Sequence, residues 1–278
     1  MPLPSKRSIQ QYYAEFAEQE RLNSGLGQLE FERTKRILQR FLPLPPAVIV
    51  DVGGGSGPYS FWLAALGYET HLIDYSDRLV ELCRSRIQAN PHLPCPRSAE
   101  VGDARSLSRA DASCDAVLLM GPLYHLVERT DRIRAIREAC RMLRPGGHVF
   151  AASISRAASF IAAVCENLLN DPLFVSIVNA DLETGQHRNP TDNISFFTDA
   201  FFHRNREIRA ELAEGGFTLV AQVPIEGLAC MAKDIGAVWR ETHSREALLN
   251  MLERTERIEE ISEASFHVLT IGQKPGKS

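Results

Sequence analysis

The stretch Ala47-Val48-Ile49-Val50-Asp51-Val52-Gly53-Gly54-Gly55-Ser56-Gly57-Pro58 decides the fold. Its first six residues are apolar apart from one acid, the pattern of a strand buried on both faces in a parallel sheet. The glycines that follow let the chain turn tightly and let a ligand approach the backbone closely. A helix then reads over 58–67. Strand, glycine loop and helix together are the opening unit of a nucleotide- or cofactor-binding α/β sheet.

Working outward, short apolar runs alternate with helical stretches. Strands are expected at 70–74, near Val101, at 116–120 and at 148–154, with helices at 76–89 and 128–143. The second helix is stopped by Pro145-Gly146-Gly147. This alternation implies βαβ units and a parallel sheet. Residues 156–203 break the rhythm: a helix reads over 157–170, followed by a polar, turn-rich stretch at 171–195, and the whole reads as an insertion over the sheet. The alternation resumes with a helix at 204–214 stopped by Gly215-Gly216, a strand at 217–224, a helix at 241–257 and a last strand at 266–271. Upstream, two helices are expected at 8–22 and 28–41, closed off by Leu42-Pro43-Leu44-Pro45-Pro46.

Composition narrows the function classes. The chain has 278 residues, 44% hydrophobic and 24% charged, which excludes a disordered, collagenous or coiled-coil protein. A formal charge of −4 and a pI of 6.1 argue against nucleic acid as the partner. No apolar run approaches the roughly 18 residues of a membrane helix, and the start lacks a signal-peptide core, so a cytoplasmic protein is expected. The six cysteines form no Cys-x-x-Cys pair and read as free, buried thiols rather than metal ligands.

The loop spacing discriminates between cofactors. A dinucleotide site wants Gly-x-Gly-x-x-Gly, and starting from Gly53 that pattern demands glycine where Pro58 stands. The pattern present is Asp-x-Gly-x-Gly-x-Gly, on Asp51, Gly53, Gly55 and Gly57. It resembles the first motif of class I S-adenosylmethionine-dependent methyltransferases. Four further matches follow in order: Asp74 at the end of the second strand, Gly102-Asp103-Ala104, the segment from Asp115 through Met120 to Tyr124 and His125, and Leu143-Arg144-Pro145-Gly146-Gly147. The N-terminal Tyr12-Tyr13 and Glu20-Arg21-Leu22 resemble the cap of bacterial stand-alone members.

The resemblance implies an α/β fold with a Rossmann-like, seven-stranded, mostly parallel sheet, helices on both faces, and an antiparallel last strand. It further implies an N-terminal helical cap at 1–46, a cofactor core at 47–155, an inserted lid at 156–203 and the rest of the core sheet at 204–278. S-adenosyl-L-methionine would be the cofactor. Asp51 would face its ammonium group, Asp74 the ribose hydroxyls and Asp103 the adenine amino group. Gly53, Gly55, Gly57, Tyr75, Ala104 and Met120 would line the same site, with Tyr13 and Arg21 reaching in from the cap.

Methyl transfer from a sulfonium is a direct displacement, so the protein mainly supplies alignment and a dry site. A base is needed only where the acceptor must lose a proton. His125, just beyond the fourth strand, is the candidate base and Tyr124 a candidate acceptor contact. His203 and His267, on apolar strands, read as structural. The arginine-rich helix at 129–144 reads as a solvated, salt-bridged face. The sequence has Gly121-Pro122-Leu123-Tyr124 where amide and base methylases carry Asn/Asp-Pro-Pro-Tyr. The phenylalanines of the insertion (160, 174, 196, 197, 201 and 202) fit a lid over a small hydrophobic acceptor, a core patch or a homodimer face. The expected activity is methyl transfer to a small molecule. A peptide or protein acceptor, a non-catalytic cofactor-binding module and an NAD-dependent oxidoreductase are the alternatives.

Overall fold

A computed structural model describes residues 21–23, 25–191 and 193–276. Tyr12, Tyr13 and all but the last two residues of the helix expected at 8–22 lie outside the described residues. The elements in chain order are α1 (Gly25–Phe41), β1 (Val48–Val52), α2 (Pro58–Ala65), β2 (Glu69–Asp74), α3 (Asp77–Ala89), β3 (Ser98–Val101) and β4 (Cys114–Leu119). Then come α4 (Pro122–His125), α5 (Arg129–Met142), β5 (Leu143–Ile154), α6 (Ala158–Cys165), α7 (Pro172–Thr184), β6 (Gln186–His187) and β7 (Ala200–Phe201). The chain closes with α8 (Asn205–Glu214), β8 (Thr218–Pro224), α9 (Ile235–Arg240), α10 (Thr242–Thr255), α11 (Glu259–Ser262) and β9 (His267–Gln273).

Seven strands form one sheet in the order β3-β2-β1-β4-β5-β9-β8. β1 pairs in parallel with β2 and β4, β2 with β3, and β4 with β5. β9 runs the other way: backbone bonds tie Gly146 to Lys274 at one end of the β5–β9 pair and Ser155 to Phe266 at the other. The antiparallel last strand is therefore present. The apolar run 116–119 is fully buried in β4, as its composition demands. Between the Cys114–Leu143 and Ala116–His148 pairings the register of β4 and β5 shifts, so Arg144-Pro145-Gly146-Gly147 bulges out of β5.

The chain divides into two compact units. One comprises Leu38–Ala152, Arg209–Ala221 and Thr270–Ser278. It holds β1 to β4 with α2, α3 and α5, and Phe61, Leu72, Val80, Cys83 and Ala99 form one of its buried clusters. The other comprises Met1–Ile37, Ser153–Ile208 and Gln222–Leu269. Its α1 packs Leu29 against Ala229, Ile235, Leu249 and Leu252.

The insertion corrects one sequence expectation. Half of the stretch read as polar and turn-rich is the helix α7. Asp171 caps it by accepting from the N–H groups of Leu173 and Phe174, Pro172 occupies the first turn, and Gly185 closes it in the left-handed region. Phe174 and Phe196 meet in a tilted arrangement, centroids 4.9 Å apart, within a buried cluster that includes Ile177 and Val178. Phe202 is also buried and stacks on His187 at 4.7 Å. Of the alternatives for the six phenylalanines, the core patch holds for half of them, Phe174, Phe196 and Phe202, while Phe160 is 46% exposed. Among the described residues no helix is long and apolar enough to cross a membrane, and all six cysteines are free.

Candidate cofactor-binding site

β1 lies between β2 and β4, where the sheet order reverses, and ligands of open α/β sheets bind outside the strand ends at that point. The chain leaves β1 through the glycine loop. Gly53, Gly55 and Gly57 have φ of 75°, 58° and 90°, a region that only glycine enters cheaply. A Cβ on Gly53 would stand 2.5 Å from Cδ of Pro122, whereas one on Gly55 would have nothing closer than 3.9 Å. Gly53 is thus fixed by packing, whereas a Cβ on Gly55 would make only an ordinary contact with Leu79, so its conformation rather than crowding requires the glycine. Gly57 leads straight into Pro58 at the N-terminus of α2.

Asp51 and Asp74 flank this loop. Asp51 is fully buried at the end of β1. Its Oδ2 accepts from Ser60 Oγ at 2.7 Å, and its Oδ1 is buried with no hydrogen-bond partner among the described residues. Burial pushes its pKa up to about 6, opposed by the Ser60 bond and reinforced by the charge of Asp74. Asp74 accepts the Gly55 N–H at 2.8 Å on one oxygen and the Ser76 N–H at 2.8 Å on the other. With a further bond from the Tyr75 backbone N–H, these donors fix the carboxylate. Burial raises its pKa as well, against the pull of those backbone donors. Tyr75 follows directly at the start of the turn into α3.

Asp103 is differently placed. Arg105 clamps it, with Nε 3.0 Å from Oδ1 and Nη2 2.6 Å from Oδ2, while the Arg105 backbone N–H adds a bond of 2.9 Å to Oδ1. Arg105 also donates to Asp131 at 2.9 Å. Although partial burial opposes it, the guanidinium holds the Asp103 carboxyl below its usual range. Ala104 beside it is buried.

At the end of β4, Met120 accepts from the Tyr124 hydroxyl at 3.2 Å. Tyr124 and His125 lie on the short helix α4 with ring centroids 4.7 Å apart, and His125 is 9% exposed. The following turn is pinned by Arg132, which donates to the carbonyls of Leu126 at 2.9 Å and Val127 at 2.7 Å and forms a buried pair with Glu211. Arg21, in the other unit, pairs with Glu30. Sequence reasoning missed Ser60, Pro122, Arg105 and Arg132. Arg105, two residues from Asp103, was the one with a local signal.

The loop, Asp51 and Asp74 suit a ligand that is cationic at one end and carries vicinal hydroxyls. The uncommitted Asp51 Oδ1 fits an ammonium and the Asp74 carboxylate fits a ribose. Residues 50–151, from β1 to β5, match the family profile described as a methyltransferase domain.

The chain is 30% identical over 115 residues to the mouse tRNA (carboxymethyluridine(34)-5-O)-methyltransferase ALKBH8, covering 40% of this chain and 15% of that protein. It is 32% identical over 115 residues to the ubiquinone/menaquinone biosynthesis C-methyltransferase UbiE of Acidiphilium cryptum, covering 41% of this chain and 45% of that one. The chain thus spans less than half the length of each of these relatives. A solved SAM-dependent methyltransferase from Methanosarcina mazei shares the fold, with a TM-score of 0.58 at 19% identity over 87% of this chain and 98% of that one.

Proposed function

We propose that the protein is an S-adenosylmethionine-dependent methyltransferase that acts on a small-molecule acceptor. The observation that carries this reading is the buried Asp51 Oδ1, uncommitted at the end of β1 beside a left-handed glycine loop. An acid retained there against its burial cost needs a cationic partner. S-adenosylmethionine supplies an electrophilic methyl group on a sulfonium that is already a good leaving group.

The chain's own residues bind and orient. Asp51 holds the ammonium end, Asp74 the ribose, and Gly53, Gly55 and Gly57 give the backbone clearance. Tyr75, Ala104 and Met120 line the same strand ends. Asp103 stands on the adenine side, but both of its oxygens are committed to Arg105, which takes up the lone pairs an adenine amino group would need. Tyr124 and His125 stand on the acceptor side of β4, with His125 as the base for an acceptor that must lose a proton. The relatives differ, one a tRNA methyltransferase and the other a C-methyltransferase of ubiquinone and menaquinone biosynthesis, so they do not choose the acceptor. The charge of −4 and pI of 6.1 favour a small molecule over a polyanion. A cytoplasmic location accords with that reading.

Calorimetric titration with S-adenosylmethionine, S-adenosylhomocysteine and NAD tests the proposal. Micromolar binding of the first two and none of NAD is expected. Binding of NAD alone would replace the reading with an oxidoreductase.

A further inference from the structure

In the unit formed by Met1–Ile37, Ser153–Ile208 and Gln222–Leu269, three strand ends meet. β5 ends at Ile154, β8 at Pro224, and the antiparallel β9 begins at His267. The Ser155 N–H donates to the Phe266 carbonyl at 2.9 Å, and the Ile225 N–H to the His267 carbonyl at 2.9 Å, which ties the three ends together. This is the carboxyl edge of β5 and β8, the side on which open α/β sheets bind ligands.

Glu226 sits just beyond β8 and is 1% exposed. It accepts from Nδ1–H of His267 at 2.7 Å, from the His267 backbone N–H at 2.9 Å and from Ser265 Oγ at 2.9 Å. A carboxylate held by three donors sets the ring's orientation and commits its Nδ1. Nε2, across the ring, has no hydrogen-bond partner among the described residues, and the side chain is 23% exposed. Glu30 lies 4.0 Å from His267 Nδ1 and is itself held by Arg21.

The charges are layered. The carboxylates of Glu226 and Glu30 are 2% and 14% exposed, and the cations His267 and Arg21 are 23% and 31% exposed. The cluster is neutral as a whole but shows its cations outward. Its Glu30, Glu226 and His267 ligand atoms lie within 4.8 Å of one another, yet Arg21 and the imidazolium already balance both carboxylates, leaving no charge for a metal to neutralise. Sequence reading took His267 as structural. The structure gives it a buried orienting partner 41 residues away and one open nitrogen.

We propose that His267 Nε2–H binds an anionic oxygen, the carboxylate or a similar oxyanion of a small molecule. The proposal concerns this unit alone and does not rest on the methyltransferase reading. Burial alone would strip the ring of its proton. The charges of Glu226 and Glu30 outweigh burial and hold the pKa up to about 9, so the donor persists at neutral pH.

Protein labelled with 15N-histidine and saturated with S-adenosylhomocysteine is titrated with benzoate and with its neutral isostere benzamide. NMR follows the His267 ring nitrogens. Benzoate, and not benzamide, is expected to shift Nε2. His267→Gln is expected to weaken benzoate binding about tenfold, the loss of a charge-assisted hydrogen bond, with S-adenosylhomocysteine affinity kept. Glu226→Gln keeps the ring and removes its partner. It should lower the His267 pKa and abolish the benzoate response at alkaline pH first. A His267 signal unmoved by benzoate, moved equally by benzamide, or a His267→Gln variant that binds benzoate as well as wild type would each overturn the proposal. Absence of S-adenosylhomocysteine binding would instead defeat the methyltransferase reading, and the benzoate titration of the free protein would still decide the anion site.

Discussion

Asp51 serves two opposed ends. Full burial raises its pKa to about 6, so at neutral pH the fold carries a charge that its surroundings disfavour. An aspartate held near 6 rather than near 3.9 is destabilised in its charged form by on the order of 3 kcal/mol. Because its folded pKa is raised, that cost is absent at low pH and grows as pH rises through the window from about 4 to about 6. Asp51→Asn should therefore raise the melting temperature at pH 7.5 by a few degrees while weakening S-adenosylmethionine binding about tenfold. Scanning fluorimetry and calorimetry on one preparation check both halves. A variant that loses stability along with affinity would mean that Asp51 holds the loop rather than the ligand. Gly53 is the converse case. With φ at 75° and Pro122 Cδ 2.5 Å from where a Cβ would stand, Gly53→Ala should cost about 2 kcal/mol or more, measured by urea unfolding. These positions were legible in the sequence because spacing alone fixes what a strand end and a tight turn require. The Ser60 bond to Asp51 was not, since a hydroxyl nine residues on gives no pattern.

Elements show the same division. β1, β2, β4 and β5 were legible because strands buried on both faces read as apolar runs. α7 was not, because the turn-rich stretch after it masked a mostly apolar helix whose cap, Asp171-Pro172, was the signal to follow. Asp171→Ala should cost about 1 kcal/mol and raise amide exchange within 172–184 above that of the β1–β4 strands. The arginine-rich helix α5 reads from sequence as a solvated, salt-bridged face, and five of its charged contacts fit that reading, among them Arg129 with Glu214 and Arg137 with Glu214. Arg132 departs from it. At 2% exposure it pairs with Glu211 of α8 and holds the carbonyls that follow His125. Removing one member of such a pair leaves a buried charge alone, so Arg132→Ala should cost about 3–5 kcal/mol. Arg132→Met combined with Glu211→Leu should recover most of it. A double variant with stability restored but turnover lost would assign Arg132 to positioning the β4–α5 turn, whereas recovery of both would make it purely structural.

At the scale of the whole molecule, the titrating groups combine into a stability profile that the sequence could not give, because its terms are set by partners far apart in the chain. Glu30, Asp103, Asp115 and Glu138 have pKa values below the usual range, each held there by an arginine against partial burial. Their contribution is present above about pH 4 and is lost as pH falls through their folded values. Asp51 and Asp74 act in the opposite sense, and the folded state weakens as each takes on charge. His267 governs the neutral-to-alkaline side. Its folded pKa of about 9 exceeds the unfolded value of about 6.5, so its pairing with Glu226 and Glu30 contributes fully below pH 6.5 and is lost as pH rises through 9. The buried thiols Cys83, Cys114 and Cys230, pushed up to about 11 or 12, add a loss that begins only near pH 8.5. Maximal stability should thus fall near pH 5, with a decline of about 2–3 kcal/mol between pH 6.5 and 9 assigned to one imidazolium. Urea unfolding of wild type and His267→Gln across that range isolates it. The variant should lose stability at pH 6 and show a flat profile up to about pH 8.5, whereas parallel profiles would place the alkaline decline elsewhere and leave His267 uncharged in the folded protein.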